Sequence, residues 1–230
     1  MDDPSGLSER AVDFLRSHAG RQAYDVGLTG NALRQRLVDV FGPGQFDHVV
    51  PMVESVQSRW GGLTYQSGLF DSAVVFSPVC DPEESDEPLE IDYAVESASP
   101  AGASVDLEGR VLIGFDAGSV REFVSLDSVI ECDAMFSMVS SSMSESGMIY
   151  DSRDSAVDFT HRVLSCFAGS LEVVPEASGE NLTWLIDDNL AVYACATWSK
   201  LGLGLPSYVK VWAKNAELIQ SAGSRLSAVL

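Results

Sequence analysis

The stretch 110-RVLIGFDAGSVREFVSLDSVIECD-133 decides how this chain is read. Two β-prone runs, 110–117 and 120–126, flank Gly118 and Ser119, and a short Gly-containing link between such runs predicts a hairpin. Along 120–126, Val120, Glu122, Val124 and Leu126 alternate imperfectly with Arg121, Phe123 and Ser125, as expected of a strand covered on both faces. The segment 128-SVIECD-133 is apolar and short enough to read as one more strand. Then 137-SMVSSSMSESGM-148 loses all periodicity and reads as an irregular loop leading into the extended piece 148-MIYD-151.

Outward from this centre the texture changes twice. Toward the N-terminus, apolar residues recur at helical spacing in 9–19, 31–41 and 46–60. Ser8 is placed to cap the first of these, Gly20 and 42-GPG-44 follow two of them as stop signals, and Pro51 falls in an early turn of the third, where proline is tolerated. Beyond 61-GG-62, strands are expected near 72–79 and 89–96. Toward the C-terminus, 153–167 carries Ala156, Phe159, Val163, Leu164 and Phe167 on one helical side, with Gly169 as its end. Strands follow at 181–186, 190–198 and 207–212, the first two joined by a turn at Asp187, Asp188 and Asn189. A short helix at 213–221 precedes a tail expected to fray. Helices, sheet, helix and more sheet make an α+β fold. No linker of convincing length precedes Leu171, so residues 1–230 are read as one domain.

Charge bounds the function. The 230 residues hold 14 Lys and Arg against 34 Asp and Glu, a formal charge of -20, which repels nucleic-acid backbones and anionic membranes and suits a basic protein partner. Eleven Asp or Glu and no cation lie between Trp60 and Arg110. Eight of them crowd 81-DPEESDEPLEIDYAVE-96, making Asp81, Glu83, Glu84, Asp86, Glu87, Glu90, Asp92 and Glu96 the candidate contacts, with Tyr93 as an aromatic anchor. The same composition also suits a plain solvated loop. The acidic N-terminus is unlike a secretory signal, and no apolar run reaches the length of about 18 to 20 residues of a membrane span, so a cytoplasmic location is expected.

Catalytic signatures do not stand out. His18, His48 and His161 form no metal-binding pattern, and no nucleophile elbow or complete phosphate-binding glycine loop occurs. Cys80, Cys132, Cys166 and Cys195 are widely spaced and are expected as free thiols, three of them in apolar surroundings. No cofactor or resident metal is predicted. An enzyme reading would rest on carboxylates, and its mark would be a deep pocket lined by a desolvated Asp or Glu.

The order of several motifs resembles the SUKH superfamily. W-G-G-L at 60–63 leads into the sheet, G-R-V-L-I-G-F-D at 109–116 crosses its middle, and MIYDS at 148–152 precedes a helix carrying S-A-V-D-F at 155–159. The resemblance covers about residues 30–168, with 170–230 as an extension of the same domain, and lacks the L-P-x-x-Y entry of the family. It implies an immunity-type protein that neutralises a toxin by binding, with no catalytic residues to carry over. The alternative is a structural or adaptor protein in which Trp198, Tyr208 and Trp212 mediate assembly.

Overall fold

The computed structural model describes residues 6–44, 46–80, 82, 91–93, 102–115, 118–151, 158–202 and 204–230. The fold is α+β. Helix α1 (Glu9–His18) starts at Ser8, whose hydroxyl accepts from the Ala11 N–H. The two-residue strand β1 (Gly20–Arg21) follows, then α2 (Gly30–Phe41), ending at Gly42 with φ 80°, and α3 (Val49–Trp60). Each of the three helices buries the inner part of the apolar stripe that its spacing predicts, Phe14 and Leu15, Leu33 and Leu37, and Val49, Val53 and Trp60, while Val12, Val40 and Val56 are half-buried and Phe46 lies before α3.

Strands β2 (Leu63–Ser67) and β3 (Ser72–Val75) pair antiparallel with each other, and β1 pairs with β2. The W-G-G-L step has a steric reason. Gly62 has φ 76°, and a Cβ there would lie 2.1 Å from the Gln22 carbonyl oxygen, so only glycine allows the chain to pass under β1.

A four-stranded antiparallel meander follows: β4 (Ile91–Tyr93), β5 (Gly102–Val105), β6 (Val111–Phe115) and β7 (Gly118–Phe123), with β4 and β7 at its two ends. The hairpin reading is right in kind and shifted in place. Phe115 pairs with Gly118, so Gly118 and Ser119 open β7 instead of forming the turn. The strand also stops at Phe123, because Val124 is 75% exposed and Leu126 already belongs to the next helix.

That helix, α4 (Leu126–Ser142), corrects two expectations at once. Residues 128–133 are helical, not a strand, and the first part of 137–148 is its last turns, not a loop. Eleven of its residues are buried and they face every direction, so no 3.6-residue alternation is visible in the sequence. It packs against α1 on one side and against the 3-10 turn Pro175–Ala177 on another.

The remaining elements are β8 (Ser144–Glu145), β9 (Ile149–Tyr150), α5 (Phe159–Phe167), β10 (Glu172–Val173), β11 (Leu182–Ile186), β12 (Leu190–Cys195), α6 (Thr197–Lys200), β13 (Tyr208–Ala213) and α7 (Ala216–Ser227). The strands form an antiparallel sheet in the order β10-β11-β12-β13-β8, with β9 also on β13. The turn at 187–189 is as expected, since Asp187 Oδ1 accepts from the N–H groups of Asn189 and Leu190 at 2.7 and 2.8 Å. Three boundaries differ: residues 197–200 leave the strand as α6, Ala213 ends β13 so that the last helix starts at Ala216, and that helix runs to Ser227 instead of ending near 221.

This sheet is covered on both faces, which explains why every residue of β12 is buried. Ala191, Tyr193 and Cys195 join Trp184 and Trp212 in the core around α4, whereas Leu190, Val192 and Ala194 join Val209 and Val211 in a second core under α5 and α7. Among the described residues no helix is long and apolar enough to cross a membrane.

Candidate functional site

Three carboxylates are buried around α4, where sequence spacing suggested nothing but core. Glu131 accepts from the Ser8 N–H and hydroxyl at 2.6 and 2.7 Å and from Arg10 Nη2 at 2.6 Å, tying the start of α1 to the middle of α4. Glu122, on β7, accepts from the N–H groups of Asn181 and Leu182, from the Asn181 amide and from the Thr197 hydroxyl, joining the meander to the C-terminal sheet. Burial raises its pKa, and those four donors work against the rise. Asp133 closes the turn between β2 and β3: its Oδ1 accepts from the Ser67 hydroxyl at 2.9 Å and from the N–H groups of Gly68 and Leu69 at 2.9 and 3.0 Å.

Asp133 differs from the other two. Its Oδ2 is buried without a hydrogen bond of ordinary geometry, although the Tyr65 hydroxyl bears on the same carboxyl. Burial pushes its pKa up to about 6, against the pull of the Leu69 N–H and the Ser67 and Tyr65 hydroxyls. The residue also lies on the wall of a cleft of about 370 Å³ where α1, the β2–β3 turn, α4 and β13 meet. Phe14, Phe136 and Trp212 supply apolar lining, and Asp71, Glu145, Lys210 and His18 supply charge or imidazole. Lys210 Nζ lies 3.5 Å from Glu145, and the His18 ring stacks on Phe14 with Nδ1 3.2 Å from the Phe14 carbonyl oxygen. Trp212 Nε1 is a second buried polar atom without a partner. Asp71 holds φ 51°, a left-handed conformation that Asp and Asn tolerate better than most residues.

The raised carboxyl has a measurable consequence. The folded state binds the Asp133 proton more tightly than the unfolded chain does, so this stabilisation is fully present below about pH 4 and is lost as pH rises through about 6. In Asp133→Asn the amide oxygen keeps the three donors and nothing titrates. The stability of Asp133→Asn relative to the parent should therefore rise by about 2 to 3 kcal/mol between about pH 4 and pH 7. Urea unfolding of both chains across that interval checks this, and a level difference would refute it.

The acidic candidates have a different standing. Asp81, Glu83, Glu84, Asp86, Glu87, Glu90 and Glu96 lie outside the described residues, and Asp92 and Tyr93 are placed by their backbone alone, on the end strand β4. The histidines do not come together, for His18 is at the cleft, His48 precedes α3 and His161 is exposed on α5. Among the described residues no group of three or more His, Cys, Asp or Glu is placed to hold a metal. The four thiols are free, with Cys80, Cys132 and Cys195 buried and Cys166 half-buried. Of the aromatics considered for assembly, Trp212 is buried while Trp198 and Tyr208 pack partly buried against the same core.

The carboxylates that sequence reading missed had one signal, acids embedded in an apolar run, as in V-I-E-C-D-A-M-F at 129–136. Acids in such company need partners, and only the fold shows which. No family model, no curated protein and no solved structure matches the chain.

Proposed function

We propose that this chain is an acidic binding protein that captures and neutralises a basic protein partner: a toxin, as the SUKH resemblance implies, and a nuclease-like one, as the sign of the charge suits. The observation that carries the reading is the charge of -20 together with what the cations are doing. Arg10, Arg16, Arg34, Arg59, Arg110, Arg162 and Lys210 each sit in an ion pair with a carboxylate, so these cations are already matched by acids of the chain itself. The acids in excess are left to create a negative field, which speeds encounter with a basic surface and selects against anionic ones. The cytoplasm is the compartment in which such an inhibitor protects its own cell.

Glu122 and Glu131 are engaged by donors of other segments, which supports a role in holding the fold, whereas Asp133, buried on the wall of the cleft, is a group that an enzyme reading would use. The acidic run 81–96 remains the proposed contact region. Here the chain is used as bait in extract of its own cells at about 0.05 and 0.5 M salt, where the screening length falls from more than 10 Å to about 4 Å. A basic protein should be retained at low salt and bind at least about tenfold more weakly at high salt. The same loss is expected when Glu83, Glu84, Asp86 and Glu87 are changed to Gln or Asn, and one equivalent of chain should abolish the captured protein's activity. Capture indifferent to both salt and charge would overturn the reading, and concentration-dependent self-association in its place would favour the structural alternative.

A further inference from the structure

The cleft at Asp133 has features that a merely solvated groove does not need. Its carboxylates are Asp71, Asp133 and Glu145, against the single ammonium of Lys210, which Glu145 already engages at 3.5 Å. Asp133 is 1% exposed and no cation lies in an ion pair with it among the described residues; three donors hold its Oδ1 and the Tyr65 hydroxyl bears on the same carboxyl, while its Oδ2 has no hydrogen bond of ordinary geometry. A buried carboxylate in that condition is expensive, and a cation brought near it lowers the expense. On one side the walls of this open cleft are carbon from Phe14, Phe136 and Trp212, a low-dielectric surface that strengthens the field of the acids beside it.

We propose that this cleft is a binding site for a small organic cation, an alkylammonium or guanidinium group. Asp71 at the exposed rim meets the cation, and the charge of Asp133 beneath the wall adds to its attraction. The volume of about 370 Å³ admits a single such group and its stem, and not a folded domain. The group arrives either as a free amine or guanidine or as a lysine or arginine side chain of a peptide. Such a cation would bind whether or not the acidic run 81–96 meets a protein partner.

The test is a titration of the full chain followed by amide and indole NMR signals. Methylguanidinium and butylammonium are the probes, with neutral methylurea and acetate as controls. Saturable shifts are expected at residues 66–69 and at the Trp212 indole with the two cations, and not with the controls. Asp71→Asn keeps a residue suited to the left-handed turn while removing the charge, and should weaken the cations at least about fivefold. Asp133→Asn should weaken them as well while leaving residual binding at the rim. Acetyl-Gly-Arg-Gly-amide is then compared with arginine amide: tighter binding of the peptide assigns the cation to a protein side chain, and equal or weaker binding assigns it to a free small molecule. Absence of saturation, equal shifts with methylurea, or cation binding unchanged in Asp71→Asn would overturn the proposal. An Asp133→Asn chain that fails to fold leaves the Asp71→Asn result to decide.

Discussion

Glu122→Ala should lower the unfolding free energy by about 3 to 5 kcal/mol, a fall in melting temperature of roughly 10 °C for a chain of this size. The carboxylate is fully buried and accepts four hydrogen bonds, from the Asn181 N–H at 2.9 Å, the Asn181 amide and the Leu182 N–H at 3.1 Å, and the Thr197 hydroxyl at 2.7 Å. Truncation leaves those donors in a space that water does not reach easily, and an unsatisfied buried donor costs about 1 to 3 kcal/mol. The site has no room to rearrange, since a Cβ on Gly179 would already lie 2.3 Å from Glu122 Oε1. Glu122→Gln makes the prediction graded. Its amide oxygen keeps the two backbone N–H groups accepted by Oε1, while its amide nitrogen faces the Asn181 amide, so a smaller loss of about 1 to 2 kcal/mol is expected. Guanidinium unfolding of the three chains is the measurement. An alanine variant within about 1 kcal/mol of the parent would show that Glu122 does not join the meander to the C-terminal sheet.

Phe136→Ala should cost a similar amount, about 3 to 5 kcal/mol, for an unlike reason. The ring stands edge-on to Trp184 and Tyr193 with centroids 4.8 Å apart in each case, and 5.9 Å from Trp212. It therefore joins α4 to β11, β12 and β13 at once, and its backbone-proximal atoms meet the β2–β3 turn, where a Cβ on Gly68 would approach Phe136 Cβ to 2.4 Å. Removing the ring leaves a cavity that rigid indoles cannot fill by a small shift. Phe136→Leu fills part of that cavity and should lose less. Near-ultraviolet circular dichroism of the tryptophans should change together with the unfolding midpoint. If the midpoint moves by less than about 2 °C, the aromatic cluster is not the junction that the geometry describes.

The two variants separate two ways of joining a core. Glu122 acts through directed hydrogen bonds between elements distant in sequence, and Phe136 through non-directional packing in the same region. They lie on different elements, β7 and α4, and their effects should add within about 0.5 kcal/mol unless the C-terminal sheet shifts as a whole.

How much of this was legible in the residues depends on solvent. The amphipathic helices α1, α2 and α3 were readable because each keeps one wet face, so its apolar residues recur at helical spacing. The β6–β7 hairpin, the β11–β12 pair and the Asp187 turn were readable from short apolar runs and local turn chemistry, and the error in the first was two residues of register. Helix α5 was readable in its described part, Phe159–Phe167, with Gly169 at φ 74° just beyond it.

Helix α4 was not readable, and with it went the candidate cleft. Its surroundings cover it on every side, and the two acids in its middle are internal, so neither hydrophobic period nor charge marked it as a helix. The α+β class, the negative charge and the elements with one face in water follow from the residues alone, because those properties act locally or sum over the whole chain. That Glu122, Glu131 and Asp133 are interior groups, which segments they hold, and that a cleft opens beside Asp133 emerge only from the packed fold. Those facts rest on contacts between residues 59 to 123 positions apart, and nothing in the spacing of neighbours encodes where such partners meet.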